Sequence, residues 1–317
     1  MFRSVRMAFC ASLLALPALA LARPPLIYHH VEHIAAHAGG TVSLRLSSHD
    51  AVISVKPGKR VSVTTDIWAS TSSKSNQEEL IKRYTPAVWA DGNDVKVGPP
   101  DHHDWGWHFG WESSHEVRVT VVMPNDMKLD YRLGSGDFRF DNPSATMAVK
   151  GESGSGDVYF RGNPKSLDLH TGSGDMQVAK GDQQGPVKVH TGSGDLIYSG
   201  VATSLSLGTG SGDITVGHAV AQKAELGSGS GDVVVHWEKL AAGAAIKASS
   251  GSGDIDMYFP ASTVIGGKIS TGSGDVNTDF PALIHGSHHS YTLSGGPGAI
   301  KVDLDTGSGD ISLHKGG

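Results

Sequence analysis

Apolar residues occupy every second position through most of the chain, and the alternation restarts at short glycine-rich interruptions. Leu167-Asp168-Leu169-His170-Thr171 runs into one of them, and Asp175-Met176-Gln177-Val178 runs out of it. The same frame returns as Val187 and Val189 before Leu196 and Tyr198, as Leu205 and Leu207 before Ile214 and Val216, and as Val302 and Leu304 before Ile311 and Leu313. A period of two marks strands with one face buried. One such pair of strands has too little apolar surface to fold alone, whereas like pairs stacked about 4.8 Å apart share a continuous core. The pattern predicts an all-β protein, a parallel β-solenoid (β-helix) with about 20 residues per coil.

The interruption is Gly-Ser-Gly-Asp, and it occurs nine times. Its aspartates are Asp137, Asp157, Asp175, Asp195, Asp213, Asp232, Asp254, Asp275 and Asp310, at successive spacings of 20, 18, 20, 18, 19, 22, 21 and 35. Inward positions are odd before the motif (Leu167, Leu169) and even after it (Met176, Val178), so the motif is a corner that shifts the phase by one. A corner this sharp predicts glycines at positive φ, where they meet little steric cost, and leaves room for the next coil. The position four residues before each aspartate points inward and is mostly a hydroxyl: Thr171, Thr191, Thr209, Ser228, Ser250, Thr271 and Thr306 among them.

The aspartates themselves point outward. In register they stand about 4.8 Å apart, where like charges repel by roughly 1 kcal/mol per pair in water, so something must offset the repulsion. The simplest arrangement has each carboxylate accepting hydrogen bonds from backbone N–H groups of its own corner, as in Asx turns. A shared cation array, with calcium as the first candidate, is the alternative. Calcium takes six to eight oxygens, and one outward carboxylate per coil supplies few of them.

Residues 1–22 carry Arg3 and Arg6, an apolar run from Met7 to Leu21 and a small-residue end at Ala20-Leu21-Ala22, the order of a secretory signal peptide. The run is shorter than the ~20 residues that span a bilayer. Its removal leaves 24 basic and 32 acidic residues, a formal net charge of −8, and no cysteine, because Cys10 lies within it. An acidic chain lacks the basic surface that nucleic acid demands, and one cysteine supports neither a disulfide framework nor a multi-cysteine zinc site. With 42 glycines in 317 residues, about twice the usual share, a helical bundle is excluded. The expected location is the periplasm or the cell surface, with no transmembrane segment once the signal is cleaved.

Residues 23–130 read as degenerate N-terminal coils plus a capping region, ahead of the repeat solenoid over 131–317. Val42, Leu44 and Leu46, then Val52 and Val55, then Val61 and Val63 alternate as strands. Ser75-Asn76-Gln77-Glu78 fits a capping box for a short helix that stops before Pro86 and covers the open end. Two histidine groups decorate this part. Tyr28-His29-His30 with Glu32, His33 and His37 reads as a polar leader left after cleavage, with zinc or copper binding as its alternative. Asp101 to Trp111 is an insertion in which Trp105, Trp107 and Trp111 form a candidate ligand patch for sugar rings. In the same insertion His102, His103, Asp104 and His108 have the ligand chemistry of a transition-metal site.

Thr-Gly-Ser-Gly-Asp followed by Ile, Leu or Val, repeated behind alternating strands over about Val117 to Leu313, resembles the bacterial putative-adhesin family of β-strand-repeat proteins, a domain of unknown function related to GIN-type head domains. The ending Leu293-Ser294-Gly295-Gly296-Pro297-Gly298 before Ile300-Lys301-Val302 is part of that likeness. The resemblance implies the solenoid fold and carries no catalytic residues. The expected function is an exported, noncatalytic cell-envelope module, structural or adhesin-like, with an envelope protein or surface glycan as partner and no cofactor. The alternatives are a calcium-dependent β-roll-like protein and a β-helix enzyme acting on polysaccharide, either a lyase, which needs a basic residue poised over carboxylates, or a hydrolase, which needs two carboxylates at a defined separation. Here the acids are periodic. The last coil, Ile311 to Gly317, is expected to be an open end with unpaired strand groups, a template for self-association.

Overall fold

The computed structural model describes residues 23–99, 114–182, 185–284 and 289–316. Alternation and corner phase together build two parallel sheets that face each other. In the first, formed by the strands that enter the corners, Leu129 pairs with Val149, Val149 with Leu167, Leu167 with Val187 and Val187 with Leu205. In the second, formed by the strands that leave them, Phe138, Val158, Met176, Leu196, Ile214, Val233 and Ile255 pair in succession. The inward side chains of both sheets form one apolar core from Val42 to Leu313. Near its N-terminal end Tyr131 stacks on Phe138 at 3.7 Å and Phe140 on Phe160 at 4.7 Å.

From Leu196 onward the chain turns its second corner by bending a continuous strand. Leu196–Thr209, Ile214–Ser228 and Val233–Ser250 each leave one coil and enter the next. The bend is a bulge, with a register shift after Ser199 and positive φ at Gly200 (129°) and His218 (51°). The Gly-Ser-Gly-Asp corners are different, and here the expectation fails: none of their glycines lies at positive φ. They are glycine because the coils are too close for anything else. A Cβ on Gly212 would fall on the carbonyl oxygen of Gly194, and one on Gly210 on that of Gly192, and the pattern recurs up the stack.

Stack order departs from chain order at the C-terminal end. Ile300–Thr306 lies between the second half of Val233–Ser250 and Ile265–Thr271, parallel to both. Ile311–Lys315 lies likewise between Ile255–Phe259 and Val276–Thr278. The last coil is therefore not the open end expected of it: both of its edges are paired. After Phe259 the chain passes over one coil height, and the hairpin Ala282–Ile284 with Ser290–Leu293 covers the outermost strand Ile265–Thr271. The long 35-residue spacing holds that hairpin and the return into the gap.

At the opposite end Thr41–Leu46 and Asp50–Val55 form a coil directly beneath Lys128–Leu133 and Phe138–Asn142. Described residues between Val55 and Lys128 build outward from it. Asp94–Gly98 and His115–Met123 flank that coil in parallel, Arg60–Ala69 runs antiparallel to His115–Met123, and Leu26–Ala35 runs antiparallel to Arg60–Ala69. The histidine-rich segment near residue 30 is thus a ten-residue strand and not a leader, because Ile27 and Tyr28 pack on the cluster of Ile67, Leu80, Tyr84 and Val117. The helix Lys74–Tyr84 starts two residues earlier than the capping-box reading: Ser73 is its N-cap, its hydroxyl accepting from the Asn76 N–H at 3.4 Å. No described helix is long and apolar enough to cross a membrane.

Candidate functional site: the aspartate edge and the outer sheet face

One edge of the stack carries every Gly-Ser-Gly-Asp corner, so strand pairing alone sets the aspartates in a column. Each offers Oδ1 to the backbone N–H of the aspartate in the next coil, at 2.7–3.1 Å throughout. The order is Asp50, Asp137, Asp157, Asp175, Asp195, Asp213, Asp232, Asp254, Asp310 and Asp275. The carboxylates do accept backbone hydrogen bonds, but from the neighbouring coil and not from their own corner. Hydrogen bonds to a charged acceptor contribute about 1.5–3 kcal/mol each, which exceeds the roughly 1 kcal/mol of repulsion between neighbours. By these magnitudes the cross-coil hydrogen bonds offset the repulsion between neighbouring carboxylates.

A second ladder runs just inside the first. The Thr209 hydroxyl accepts from the Gly212 N–H at 3.0 Å and donates to the Gly194 carbonyl of the coil below at 2.9 Å. Thr191, Ser228, Ser250, Thr306 and Thr271 repeat this within 3.2 Å. That is why the inward corner position is a hydroxyl: it satisfies one donor and one acceptor that the corner buries.

The two ends of the edge are finished by histidines. At the first coil Ser47-Ser48-His49-Asp50 replaces the glycine motif, and buried His49 donates from Nε2 to the Tyr84 carbonyl at the end of the helix, 2.8 Å away. Burial holds this imidazole below its ordinary pKa and holds the Asp50 carboxyl above its own. At the last coil His289 Nδ1 lies 3.1 Å from the Gly274 carbonyl, the acceptor that a further coil's hydroxyl takes elsewhere. Asp50 went unrecognised in the sequence because its corner lacks glycine. The signal that finds it is the hydrophobic frame, Leu44 and Leu46 before and Ala51 and Ile53 after.

The outer face of the first sheet holds a feature visible only once the coils are in register. Asp130, Lys150, Asp168, Lys188, Ser206, Glu225, Lys247, Asp303 and Lys268 form one column whose charge alternates in sign, interrupted only at Ser206. Beside it His170 and His190 stack at 5.4 Å, and His170 Nε2 lies 2.9 Å from Asp168 Oδ1. The next two positions of that column are Gly208 and Gly227. Their missing side chains leave a shallow notch walled by His190, Ser206, Glu225 and Ser249, with the His190 ring leaning over Gly208. Burial, with His170 beside it, lowers the His190 pKa.

Several predicted residues lie elsewhere. Trp105, Trp107, Trp111, His102, His103, Asp104 and His108, with residues 1–22, fall outside the described residues. Segment 99–114 joins Asp94–Gly98 to His115–Met123, the strands that flank the first coil. Of the other histidine group, His29 Nδ1 meets Asp66 Oδ1 at 2.6 Å and His33 Nδ1 meets Ser62 Oγ at 2.8 Å, across the strand pair. Among the described residues no three His, Cys, Asp or Glu side chains are grouped to hold a metal ion.

The family model described as Toastrack DUF4097 matches residues 42–314. No curated protein matches the chain. Among solved structures it is similar to a "putative lipid binding protein" from Parabacteroides distasonis, at 16% identity and TM-score 0.52 over 90% of this chain and 97% of the other. It is also similar to a "putative adhesin" from Parabacteroides merdae, at 12% identity and TM-score 0.51 over 90% of this chain and 96% of the other. At these identities the likeness is one of fold.

Proposed function

Because the chain belongs to the Toastrack DUF4097 family, we propose that it is an exported, noncatalytic cell-envelope β-solenoid that serves as a structural or adhesin-like binding module. Residues 1–22 are its signal peptide, 23–130 its N-terminal coils and capping region, and 131–317 its repeat body of about 20 residues per coil. The observation that carries this reading is the commitment of the periodic aspartates to cross-coil hydrogen bonds. Acid–base catalysis needs a carboxyl group set apart by its surroundings, whereas these share one environment along the edge. The acids build the stack, and the outer faces and ends remain for contact.

The name of the Parabacteroides merdae protein supports the adhesin-like reading. Trp105, Trp107 and Trp111 are the aromatic patch we assign to an envelope glycan or protein, since flat rings match the apolar faces of sugars. The test is a pull-down from native envelope with the exported protein as bait, set beside a variant with alanine at those three positions. Retention of a defined envelope component by the parent and its loss in the variant is expected. Release of reducing ends from a polysaccharide would overturn the noncatalytic reading.

A further inference from the structure

The coil Ile300–Lys315 stands apart from the others in how it is held. The coils on its two sides, residues 245–259 and 265–278, follow one another directly in the chain, whereas this one is placed between them from Ser290–Leu293. The chain bypasses it between Phe259 and Ile265. It can leave the stack while those two coils stay joined to each other. What it leaves behind is a slot one coil high, walled by residues 245–250 and 255–259 on one side and by Ile265–Thr271 and Val276–Thr278 on the other.

The slot is matched to this coil by the rules that build the whole stack. The Asp310 N–H reaches Asp254 Oδ1 at 2.7 Å, and Asp310 Oδ1 receives the Asp275 N–H at 2.8 Å. The Thr306 hydroxyl donates to the Gly253 carbonyl, and that of Thr271 to the Gly309 carbonyl. Ile300, Val302, Leu304, Ile311 and Leu313 complete the core. None of these contacts depends on which chain supplies the coil.

The connection that keeps it at home is Ser294–Ala299, which wraps the start of the outermost strand. Gly295 and Gly266 touch backbone to backbone there: a Cβ on Gly295 would lie 2.8 Å from the Gly266 Cα and 2.8 Å from the Ala299 Cβ. The wrap is a tight, glycine-dependent turn between two elements that would fit equally well in separate molecules. We propose that this segment is a hinge, and that two copies of the chain exchange the coil Ile300–Lys315, each filling the other's slot. This is exchange of an internal element and not addition to an exposed edge, since that coil has none.

Every contact of the coil is kept on exchange, so the balance rests on the hinge and on concentration. A short intact linker supplies its own coil at an effective concentration in the millimolar range, which favours the closed monomer in dilute solution. Straining the wrap removes that advantage and leaves the open, exchanged form untouched, the known route by which short strained hinges promote swapping.

The test uses the full chain with Cys10→Ser. Ser270 Oγ and Asp305 Oδ1 are 2.6 Å apart across the slot wall. Chains carrying Ser270→Cys and isotopically labelled chains carrying Asp305→Cys are refolded together over a range of concentrations and oxidised. A disulfide joining positions 270 and 305 of different chains, increasing with concentration, is expected. Adding Gly295→Val to both should raise its yield about a hundredfold while the exchanged form is the minor one, because exchange relieves overpacking of ~1.4 kcal/mol in each of two closed chains, about tenfold apiece. The double variant Ser270→Cys/Asp305→Cys shows within one chain that the geometry permits the bond. If that bond forms readily and no interchain 270–305 link appears at any concentration, with or without Gly295→Val, coil exchange is overturned.

Discussion

Replacing Gly212 with alanine tests the close approach of the corners more sharply than any other single change. Its Cβ would meet the Gly194 carbonyl well inside van der Waals distance and the Asp195 nitrogen at 2.9 Å. To make room, the two coils must part at their closest point. Two hydrogen bonds that span the gap then stretch: the Thr209 hydroxyl to the Gly194 carbonyl at 2.9 Å and the Asp213 N–H to Asp195 Oδ1 at 2.9 Å. Overpacking of this kind costs about 1–3 kcal/mol, and weakening of bonds worth ~1 kcal/mol each brings the loss to roughly 3–5 kcal/mol. At ~2–4 °C per kcal/mol for chains of this order of size, Tm should fall by about 6–20 °C. Gly227→Ala is the control, because its Cβ would have only Ser249 Oγ nearby, at 3.6 Å. It should change stability by no more than about 0.5 kcal/mol. Thermal melts followed by circular dichroism decide the matter. Equal shifts for the two variants, or a Gly212→Ala melt within about 1 °C of the parent, would refute the steric argument.

Thr209→Val keeps shape and removes the hydroxyl, leaving the Gly212 N–H and the Gly194 carbonyl unpaired in the interior; denaturant titration should show a loss of about 2–4 kcal/mol, while Thr209→Ser costs far less. Asp213→Asn retains the acceptor for the Asp232 N–H and removes one charge from the column, so at low ionic strength its Tm should equal or exceed the parent's, with the difference shrinking in salt; Asp213→Ala should melt lower under both conditions. Burial depresses the folded-state pKa of His49 and His190. The unfolded chain therefore binds more protons once pH falls through about 6.5, and stability declines from there down to the folded values. Asp50, raised by burial, acts oppositely, losing stability as pH rises through its own window above about 3.8. Urea midpoints measured between pH 8 and 5 should fall toward acid, and His190→Gln should flatten part of that slope.

Much of this architecture was legible because a solenoid repeats one local rule. The alternation of Leu167, Leu169, Met176 and Val178 across a phase-shifting corner holds the same information as the pairing of those strands, and the inward hydroxyl at Thr171 follows from the same parity. What stayed hidden depends on contacts between coils. A single coil does not disclose that its glycines answer to the coil below and not to their own φ, nor that Asp157 bonds to the Asp175 amide. Equivalent coils also carry no mark of their place in the stack. Nothing local distinguishes Asp310 as the neighbour of Asp254, and only the long spacing before it hints at a detour. Ser73 outcompeted Ser75 as helix cap because Thr71 and Gln77 fix the chain ahead of the first turn.

If the aspartate column is a coil-to-coil hydrogen-bond ladder, its amides are held in the native stack. Amide hydrogen exchange, measured residue by residue with and without added calcium, reads it. The amides of Asp157, Asp175, Asp195, Asp213, Asp232 and Asp254 should exchange as slowly as the core strands. The Asp310 amide should match them despite its late place in the chain, and calcium should leave all of them unchanged. Fast exchange at these amides, or protection that appears only with calcium, would contradict the ladder and return the column to cation binding.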